Sequence, residues 1–315
     1  MRGVTSSPAS STEHARLTTR AATLSVAVAL LLIALKAWAW VASASVAMLA
    51  SLADSTLDLV ASLFTYIAVR YAAAPPDREH RFGHGKAESF AALMQAGLVG
   101  ISSVLIAVEA IRRFAAPQPI THGLESLGVM IVSIALTAAL VAAQTQAIRR
   151  TGSVATRGDR LHYASDLAGN AVVMVGLAAG AFLHLPWADA AAGLIVALWL
   201  GWGALSLARN AGDNLLDREL PDAERERIRA LALEDARISH VHDLRTRASG
   251  PYLHVQFHAE LDPTLTLEQA HAIIVAAEGR IRALYPTADL IIHPDPRGRA
   301  EPHGHEDFER RATAR

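Results

Sequence analysis

The sequence predicts an α-helical membrane domain of six transmembrane helices, followed by a small cytoplasmic α+β domain with the element order α-β-β-α-β. Hydrophobic residues make up 52% of the 315 residues, and charged residues only 19%. The hydrophobic residues lie in long runs rather than dispersed as in a soluble core, and the mean hydropathy is +0.26. After Asp217 the pattern changes to charged amphipathic helix and alternating strand, which indicates a separate soluble domain.

Six apolar runs are long enough to span a bilayer, because a hydrocarbon core about 30 Å thick requires roughly 20 helical residues. The predicted spans cover residues 21–43, 48–71, 89–111, 124–147, 161–182 and 188–208. The predicted domains are a disordered head (1–20), the membrane domain (21–210), the soluble domain (211–296) and a disordered tail (297–315).

The first apolar run has a second interpretation, a cleaved signal sequence, since Ala42-Ser43-Ala44 is similar to a cleavage site. The run is longer than a typical signal core of about 7–15 residues, and further spans follow it. We therefore interpret it as a span. Lys36 lies inside it beside Trp38 and Trp40, a pattern typical of a snorkelling side chain at an aromatic belt.

Basic residues flank the predicted spans mainly on one side of the membrane. They are Arg16, Arg20, Arg70, Arg78, Arg81, Lys86, Arg149, Arg150, Arg157 and Arg160. The other side has chiefly Arg112 and Arg113. By the positive-inside rule, both termini and the soluble domain face the cytoplasm.

Two pairs of ligand-type side chains lie inside the predicted spans. Asp54 and Asp58 are four residues apart in the second span, and His162 and Asp166 have the same spacing in the fifth. This spacing places both members of a pair on one helix face. An ionised Asp near the bilayer centre costs roughly 2.5–3.5 kcal/mol, so we expect a cation between them. One such pair could be structural, but two pairs on separate spans favour a tetrahedral site for a divalent ion such as zinc.

Five sequence motifs follow one another along the chain. They are "SLADSTLD", "FGHGKAES", "LHYASD", "LLDRELPD" and "HDLRTRASGP". Together they resemble the cation diffusion facilitator family, in particular its bacterial zinc and iron efflux proton antiporters, over residues 20–296.

The resemblance implies three metal sites and a dimer contact. The transport site falls on Asp54, Asp58, His162 and Asp166, and a loop site falls on Asp77, His80 and His84. A cytoplasmic two-metal site falls on His242, His258, His271, His293 and Asp295, and the charge interlock of a dimer falls on Lys86 and Asp217. Pro294 departs from the family pattern, because a relative has a side-chain amide there.

The soluble domain can also be interpreted from its own residues. Residues 221–235 form an amphipathic helix, and residues 266–286 a second one. Three alternating segments indicate strands: 240–249, 252–261 and 288–294. Two further histidines, His240 and His254, are interpreted as structural, while His303 and His305 in the tail could bind metal loosely.

Several other classes of function are disfavoured. The chain has no cysteine, hence no disulfide framework or thiolate metal site, and its net charge of −1 gives no reason to expect nucleic acid. It also has no P-loop for ATP and no H-E-x-x-H motif. The alternatives left open are a membrane-embedded metallohydrolase and a cation channel, which would show a pore ring from several subunits.

The resemblance implies a homodimeric, multi-pass transporter, not an enzyme, in the bacterial inner (plasma) membrane. It would export a divalent transition metal in exchange for protons, and Zn(II), Cd(II), Fe(II) and Co(II) all suit the ligands. Because ligands must lose protons to bind metal, and histidine titrates near pH 6.5, loading of the transport site should release protons. The cytoplasmic cluster, far in sequence from the spans, should regulate rather than transport.

Overall fold

The computed structural model describes residues 11–43, 46–115, 124–178 and 187–299. They form a helical unit, which runs to Leu216 and with which Ser249–Pro251 is grouped, and a mixed unit of helices and strands that begins at Asp217. The helical unit contains α1 Ser11–Ser43, α2 Val46–Ala72, α3 Ala87–Ala115, α4 Leu124–Thr151, α5 Val154–Ala178 and α6 Ala188–Leu215. The mixed unit contains α7 Asp222–Leu233, β1 His240–Ser249, β2 Tyr252–Leu261, α8 Leu267–Leu284 and β3 Ala288–Pro296.

Each predicted span overlaps one long helix, and each of these helices extends past its apolar run at one end or both, except α5 at its C-terminal end, where residues 179–182 of the predicted span lie outside the described residues. The largest extension is in α1, which begins at Ser11, so the structure differs from the predicted disordered head over residues 11–20. His14 and Thr18 are buried in this segment. His14 Nε2 lies 3.2 Å from Glu88 Oε1 at the start of α3, so tertiary contact stabilises a segment whose composition does not suggest a helix.

Among the described residues, five helices are long and apolar enough to cross a bilayer: α1, α2, α3, α4 and α6. The remaining long helix, α5, has 25 residues and therefore sufficient length, but it is more polar. Its charged residues include Arg157, Asp159, Arg160 and Asp166. Large apolar side chains such as Ile195 and Trp202 are 68% and 72% exposed, as is typical of a surface that contacts lipid.

Small residues allow α3 and α6 to pack closely. Ala92 and Ala96 of α3 belong to one buried cluster with Ala211 of α6. Farther along the same pair of helices, Ser103 Oγ donates a 2.8 Å hydrogen bond to the carbonyl of Ala197. Small side chains and interhelical hydrogen bonds are the usual means of helix association in a bilayer, where burial of apolar surface contributes little.

A buried polar network orients α5 against its neighbours. Asp159 is 1% exposed, and its Oδ2 accepts hydrogen bonds from Ser25 of α1 at 2.5 Å and from Gln144 of α4 at 2.8 Å. One turn later, the Tyr163 hydroxyl lies 2.7 Å from Ser62 Oγ of α2. These contacts fix which face of α5 is directed toward α2.

The mixed unit is a three-stranded sheet of order β1-β2-β3 with two helices. Gly250, with φ 56°, forms the tight turn between β1 and β2. β2 and β3 run parallel, and α8 makes the crossover between them. Val255 and Phe257 pack against Ile273 and Ile281 in the core. The predicted α-β-β-α-β order is confirmed.

Candidate metal centres

Among the described residues, three groups of histidine and acidic side chains could hold a metal ion. Within each group, one ligand atom per residue lies within 4.8 Å of the others. The groups are Asp58, His162 and Asp166 in the membrane helices, Asp77, His80 and His84 after α2, and His242, His258 and Asp295 in the mixed unit. Each group contains only residues that the sequence predicts to be metal ligands.

The membrane group joins α2 to α5. His162 Nε2 lies 3.0 Å from Asp58 Oδ1, and the two side chains are 12% and 17% exposed. Asp166 follows His162 by one helical turn and is directed to the same place. Two carboxylates and an imidazole thus converge in a mostly buried position between membrane helices, where acidic side chains are rare and usually functional.

Asp54, the fourth predicted ligand of this site, is not part of the group. It lies one turn before Asp58 on α2 and is exposed. The i, i+4 spacing predicts that both carboxylates lie on one face of α2, but it does not predict how deeply each one is buried. Three protein ligands leave one position of a tetrahedral metal site open.

Lys36 differs from its predicted role at an aromatic belt. Its ammonium donates hydrogen bonds to Ser55 Oγ at 2.7 Å and to the carbonyl of Ser51 at 3.2 Å. Both acceptors belong to α2, in the turns that flank Asp54. The ammonium therefore lies beside the membrane group and links α1 to α2.

The loop group lies between α2 and α3. Asp77 places Oδ1 3.4 Å from His80 Nδ1 and Oδ2 3.3 Å from His84 Nε2. The His84 side chain is buried against the ring of Tyr71, at 4.4 Å between ring centres, whereas Asp77 and His80 are exposed. A metal ion could thus reach this group directly from solvent.

Backbone hydrogen bonds keep the carboxylate of the loop group ionised. The N–H groups of His80 and Glu79 donate to Asp77 Oδ1 at 2.6 and 2.9 Å. The bond from His80 is the main reason that the pKa of Asp77 lies below its ordinary value. A carboxylate binds metal in its ionised form, so this turn prepares Asp77 as a ligand.

The group in the mixed unit takes one residue from each strand. His242 lies on β1, His258 on β2 and Asp295 on β3, and the strand order places them side by side. Asp295 Oδ2 is 2.9 Å from His258 Nδ1 and 3.2 Å from His242 Nε2. Asp295 is 6% exposed, so the carboxylate is held at the buried side of the group.

The other two residues predicted for this site differ from each other. His293 pairs with His258 in the register of β2 and β3, and its Nε2 lies 3.2 Å from Asp295 Oδ1. It therefore borders the group through the second carboxylate oxygen. His271 is exposed on α8, and the structure does not bring it into the group.

Two acidic residues near this group were not predicted from the sequence. Asp243 Oδ2 lies 3.9 Å from His258 Nε2, and Glu260 Oε1 lies 3.9 Å from His242 Nδ1. Asp243 has φ 51°, in the left-handed region that is costly for most residues and is often found at functional sites. The sequence carried a signal for Glu260, which shares a strand face with His258. It carried none for Asp243, because consecutive residues of a regular strand point to opposite faces.

The predicted dimer interlock falls on residues with partners inside their own units. Lys86 Nζ donates to the carbonyl of Leu215 at 3.2 Å. Asp217 Oδ2 accepts a hydrogen bond from Arg247 Nη1 at 3.2 Å. The interlock between protomers stays a prediction.

The remaining predicted histidines lie outside the three groups. His254 is buried with Nδ1 3.3 Å from Asp289 Oδ2, while the exposed ring of His240 stacks on His242 at 5.9 Å between ring centres. His303 and His305 lie outside the described residues.

Family comparisons match most of the chain. Residues 22–216 match the cation efflux transmembrane domain, and residues 220–297 match the cytoplasmic domain of cation efflux proteins. The first range covers the helical unit and the second covers the mixed unit.

Named relatives are similar over nearly their whole length. The chain is 42% identical over 272 residues to the cation-efflux pump FieF of Shewanella oneidensis, which covers 86% of this chain and 92% of the relative. It is 40% identical over 284 residues to FieF of Cronobacter sakazakii, covering 90% and 94% of the two chains. A solved structure of the candidate zinc transporter CzrB in its Zn form is 32% identical in sequence. The match covers 27% of this chain and 99% of the CzrB chain, with a TM-score of 0.25.

Proposed function

The chain belongs to the cation diffusion facilitator family of cation-efflux transporters, and we propose that it exports a divalent transition metal in exchange for protons. It is a multi-pass membrane transporter and not an enzyme. One observation carries the proposal: Asp58, His162 and Asp166 converge between two membrane helices. In a bilayer, such a group is costly unless it binds a cation.

The contact between Asp58 and His162 supports proton exchange. Their facing atoms are 3.0 Å apart, and a hydrogen bond at that distance requires a proton on one of them. A metal ion bound to both atoms must displace that proton. Binding of metal from one side and of protons from the other then couples metal export to proton entry.

The ligand types favour zinc among divalent ions. Two carboxylates and an imidazole are ligands that zinc accepts at about 2.0–2.2 Å, with a tetrahedral preference. Cd(II), Fe(II) and Co(II) accept the same ligands, while the imidazole disfavours a harder ion such as Mn(II). For the fourth position we propose Asp54, whose Cβ lies about 5–6 Å from that of Asp58 along one helix face.

The other two groups are proposed as accessory metal sites of a homodimer. We assign Asp77, His80 and His84 to a loop site, and His242, His258, His293 and Asp295 to a regulatory site in the cytoplasmic domain; His271 stays a prediction. In the bacterial inner membrane, both termini would face the cytoplasm, as the distribution of basic residues predicts.

Flux measurements in proteoliposomes test the proposal. Purified protein is reconstituted, and internal zinc and internal pH are followed together after a zinc gradient is imposed. We expect saturable zinc entry with a matching movement of protons in the opposite direction. The Asp58→Asn and Asp166→Asn variants should reduce both signals to the background of empty vesicles, because each removes a charged ligand.

Glu109→Gln provides the matched control. Glu109 is also an acidic residue of a membrane helix, but its side chain is 54% exposed and it pairs with Arg113 on the same helix. This variant should transport as the wild type does. Wild-type flux in either aspartate variant, or zinc entry without proton movement, would contradict the proposal.

A further inference from the structure

The ammonium of Lys36 is held next to the membrane group without occupying it. Its hydrogen bonds to Ser55 Oγ and to the carbonyl of Ser51 fix it against α2. Ser55 is 1% exposed, so this acceptor is shielded from solvent. The ammonium bonds serine oxygens, and Asp58 and Asp166 remain directed toward a common point.

Lys36 nevertheless lies within electrostatic range of the carboxylates. Ser55, which accepts its 2.7 Å hydrogen bond, is the residue after Asp54 and lies three residues before Asp58 on α2, so the ammonium lies within about one helical turn of both carboxylates. A charge inside a bilayer interacts strongly over such distances, because little solvent screens it. Any ion that enters the group therefore meets a fixed positive charge as well as the carboxylates of Asp58 and Asp166, with that of Asp54 one helical turn away.

The charges of the metal-loaded group then balance. Bound ligands are deprotonated, so Asp58, Asp166 and the proposed fourth ligand Asp54 together contribute three negative charges. One ammonium and one divalent ion together supply three positive charges. A monovalent ion would leave the group negative, and a trivalent ion would leave it positive. A net charge is energetically costly at the bilayer centre. A metal-loaded site that is neutral can therefore switch its exposure from one side of the membrane to the other most easily.

We propose that Lys36 is a specificity-determining residue of the transport site: a fixed cation that makes the site electrically neutral when it holds one divalent ion. This inference rests on the proposed function. Lys36 acts through charge and not as a metal ligand, so it is a positioning residue. Its removal should strengthen metal binding, because the repulsion between ammonium and metal is lost. The loaded site would then carry a net negative charge, and turnover should slow.

The experiment compares Lys36→Gln with Lys36→Arg, which keeps the charge. Zinc affinity and turnover are measured on the full-length protein at about pH 8.5, where histidine and carboxyl groups are ordinarily deprotonated. For Lys36→Gln we expect binding that is roughly tenfold tighter or more, since even at an effective dielectric constant of about 20 a unit charge near a dication shifts its energy by several RT. Maximal flux should fall at the same time. Lys36→Arg should resemble the wild type in both measurements.

A loss of packing alone would not produce this combination. A damaged helix contact lowers turnover and weakens binding together, and Arg, which is larger than Lys, would not restore it. If Lys36→Gln does not fold, Ser55→Ala tests the same inference, because it removes one anchor of the ammonium. We expect Ser55→Ala to bind zinc more tightly and to turn over more slowly than the wild type, with both changes smaller than in Lys36→Gln.

Asp58→Asn separates this inference from the proposed function. If wild-type zinc binding survives Asp58→Asn, the transport site itself is wrongly assigned. If Asp58→Asn lowers the number of zinc ions bound per chain while Lys36→Gln binds zinc no more tightly than the wild type, the proposed function stands and the role of Lys36 is overturned. A Lys36→Arg variant that behaves like Lys36→Gln would also overturn it.

Discussion

His162 is the one nitrogen ligand proposed for the transport site, and it should set the preference of the site among metals. Its replacement by Asp leaves oxygen ligands alone, which suit harder ions. We expect His162→Asp to transport zinc less well relative to manganese than the wild type does. Competition flux with both ions present measures this ratio. His162→Asn is the control that removes the imidazole without adding a charge, and an unchanged ratio in His162→Asp would contradict the assignment.

The sequence could identify candidate ligands but not their final positions. Spacing in helices predicted the convergence of His162 and Asp166, because an i, i+4 pair shares a face whatever the tertiary packing is. Whether Asp54 lies as deep as Asp58 depends on how α2 rotates against α5. That rotation is determined by contacts such as the one between Ser62 and Tyr163, which join residues far apart in sequence. Local patterns carry no information on it.

Asp235 shows a residue-scale effect of pH outside the membrane. Its carboxylate accepts hydrogen bonds from Arg237 Nε at 2.9 Å and Nη2 at 2.7 Å, which lower its pKa to about 2. A depressed pKa means that the ionised form stabilises the fold above about pH 4, and that this stabilisation is lost as pH falls through about 2. Because the Arg237 side chain is 62% exposed, water screens the ion pair and its contribution to stability should be small.

We therefore expect Asp235→Asn to lower the free energy of unfolding slightly at neutral pH and to match the wild type near the acid limit. Chemical denaturation of both proteins over this pH range measures the difference. Arg237→Gln should give the same pattern, since it removes the other partner. A difference that stays constant down to the lowest pH would show that the ion pair is not its cause.

At the scale of elements, α5 shows why the start of a membrane helix is hard to predict from hydropathy. The predicted span begins at residue 161, whereas α5 begins at Val154. The first two turns contain Arg157, Asp159 and Arg160, which a search for apolar runs excludes. Asp159 is buried there with Ser25 and Gln144 both donating to its Oδ2, a compensation that hydropathy does not detect.

Gly158 lies where α5 packs closely against α3. A Cβ there would lie 3.0 Å from Gln95 Cβ and 3.3 Å from the backbone of Ala92. Gln95 cannot move away easily, because it is fully buried and donates to Thr65 Oγ1 at 3.0 Å. We expect Gly158→Ala to destabilise the protein by about 1–3 kcal/mol through overpacking.

Gly169→Ala is the matched control for that prediction. Gly169 lies on the same helix, but a Cβ there would meet nothing within 4 Å. Alanine should be neutral or stabilising by up to about 1 kcal/mol, since it favours helix. Thermal unfolding of both variants in detergent gives the comparison, and equal effects of the two substitutions would contradict the packing argument.

At the scale of the whole molecule, the chain carries metal ligands in two units with different physical roles. Asp58, His162 and Asp166 of the helical unit lie between membrane helices, while the ligands in the mixed unit lie on a sheet that begins after α6 ends at Leu215. An ion on the sheet is not on a path between helices. Such an ion can still shift the equilibrium between two arrangements of the protomers if it binds one arrangement more tightly than the other. The shift in free energy cannot exceed the difference between its binding free energies for the two arrangements.

The last prediction follows from this separation. His242→Ala combined with His258→Ala removes two of three converging ligands, so we expect residual transport with an altered zinc dependence rather than loss of function. For a typical coupling free energy of about 1–3 kcal/mol, the zinc concentration for half-maximal flux should change by about 5–150-fold. Flux in proteoliposomes at graded zinc measures it. His271→Ala, on the exposed side of α8, should shift the curve less. Complete loss of flux in a variant that remains dimeric, or a response curve identical to that of the wild type, would show that the site does not regulate transport.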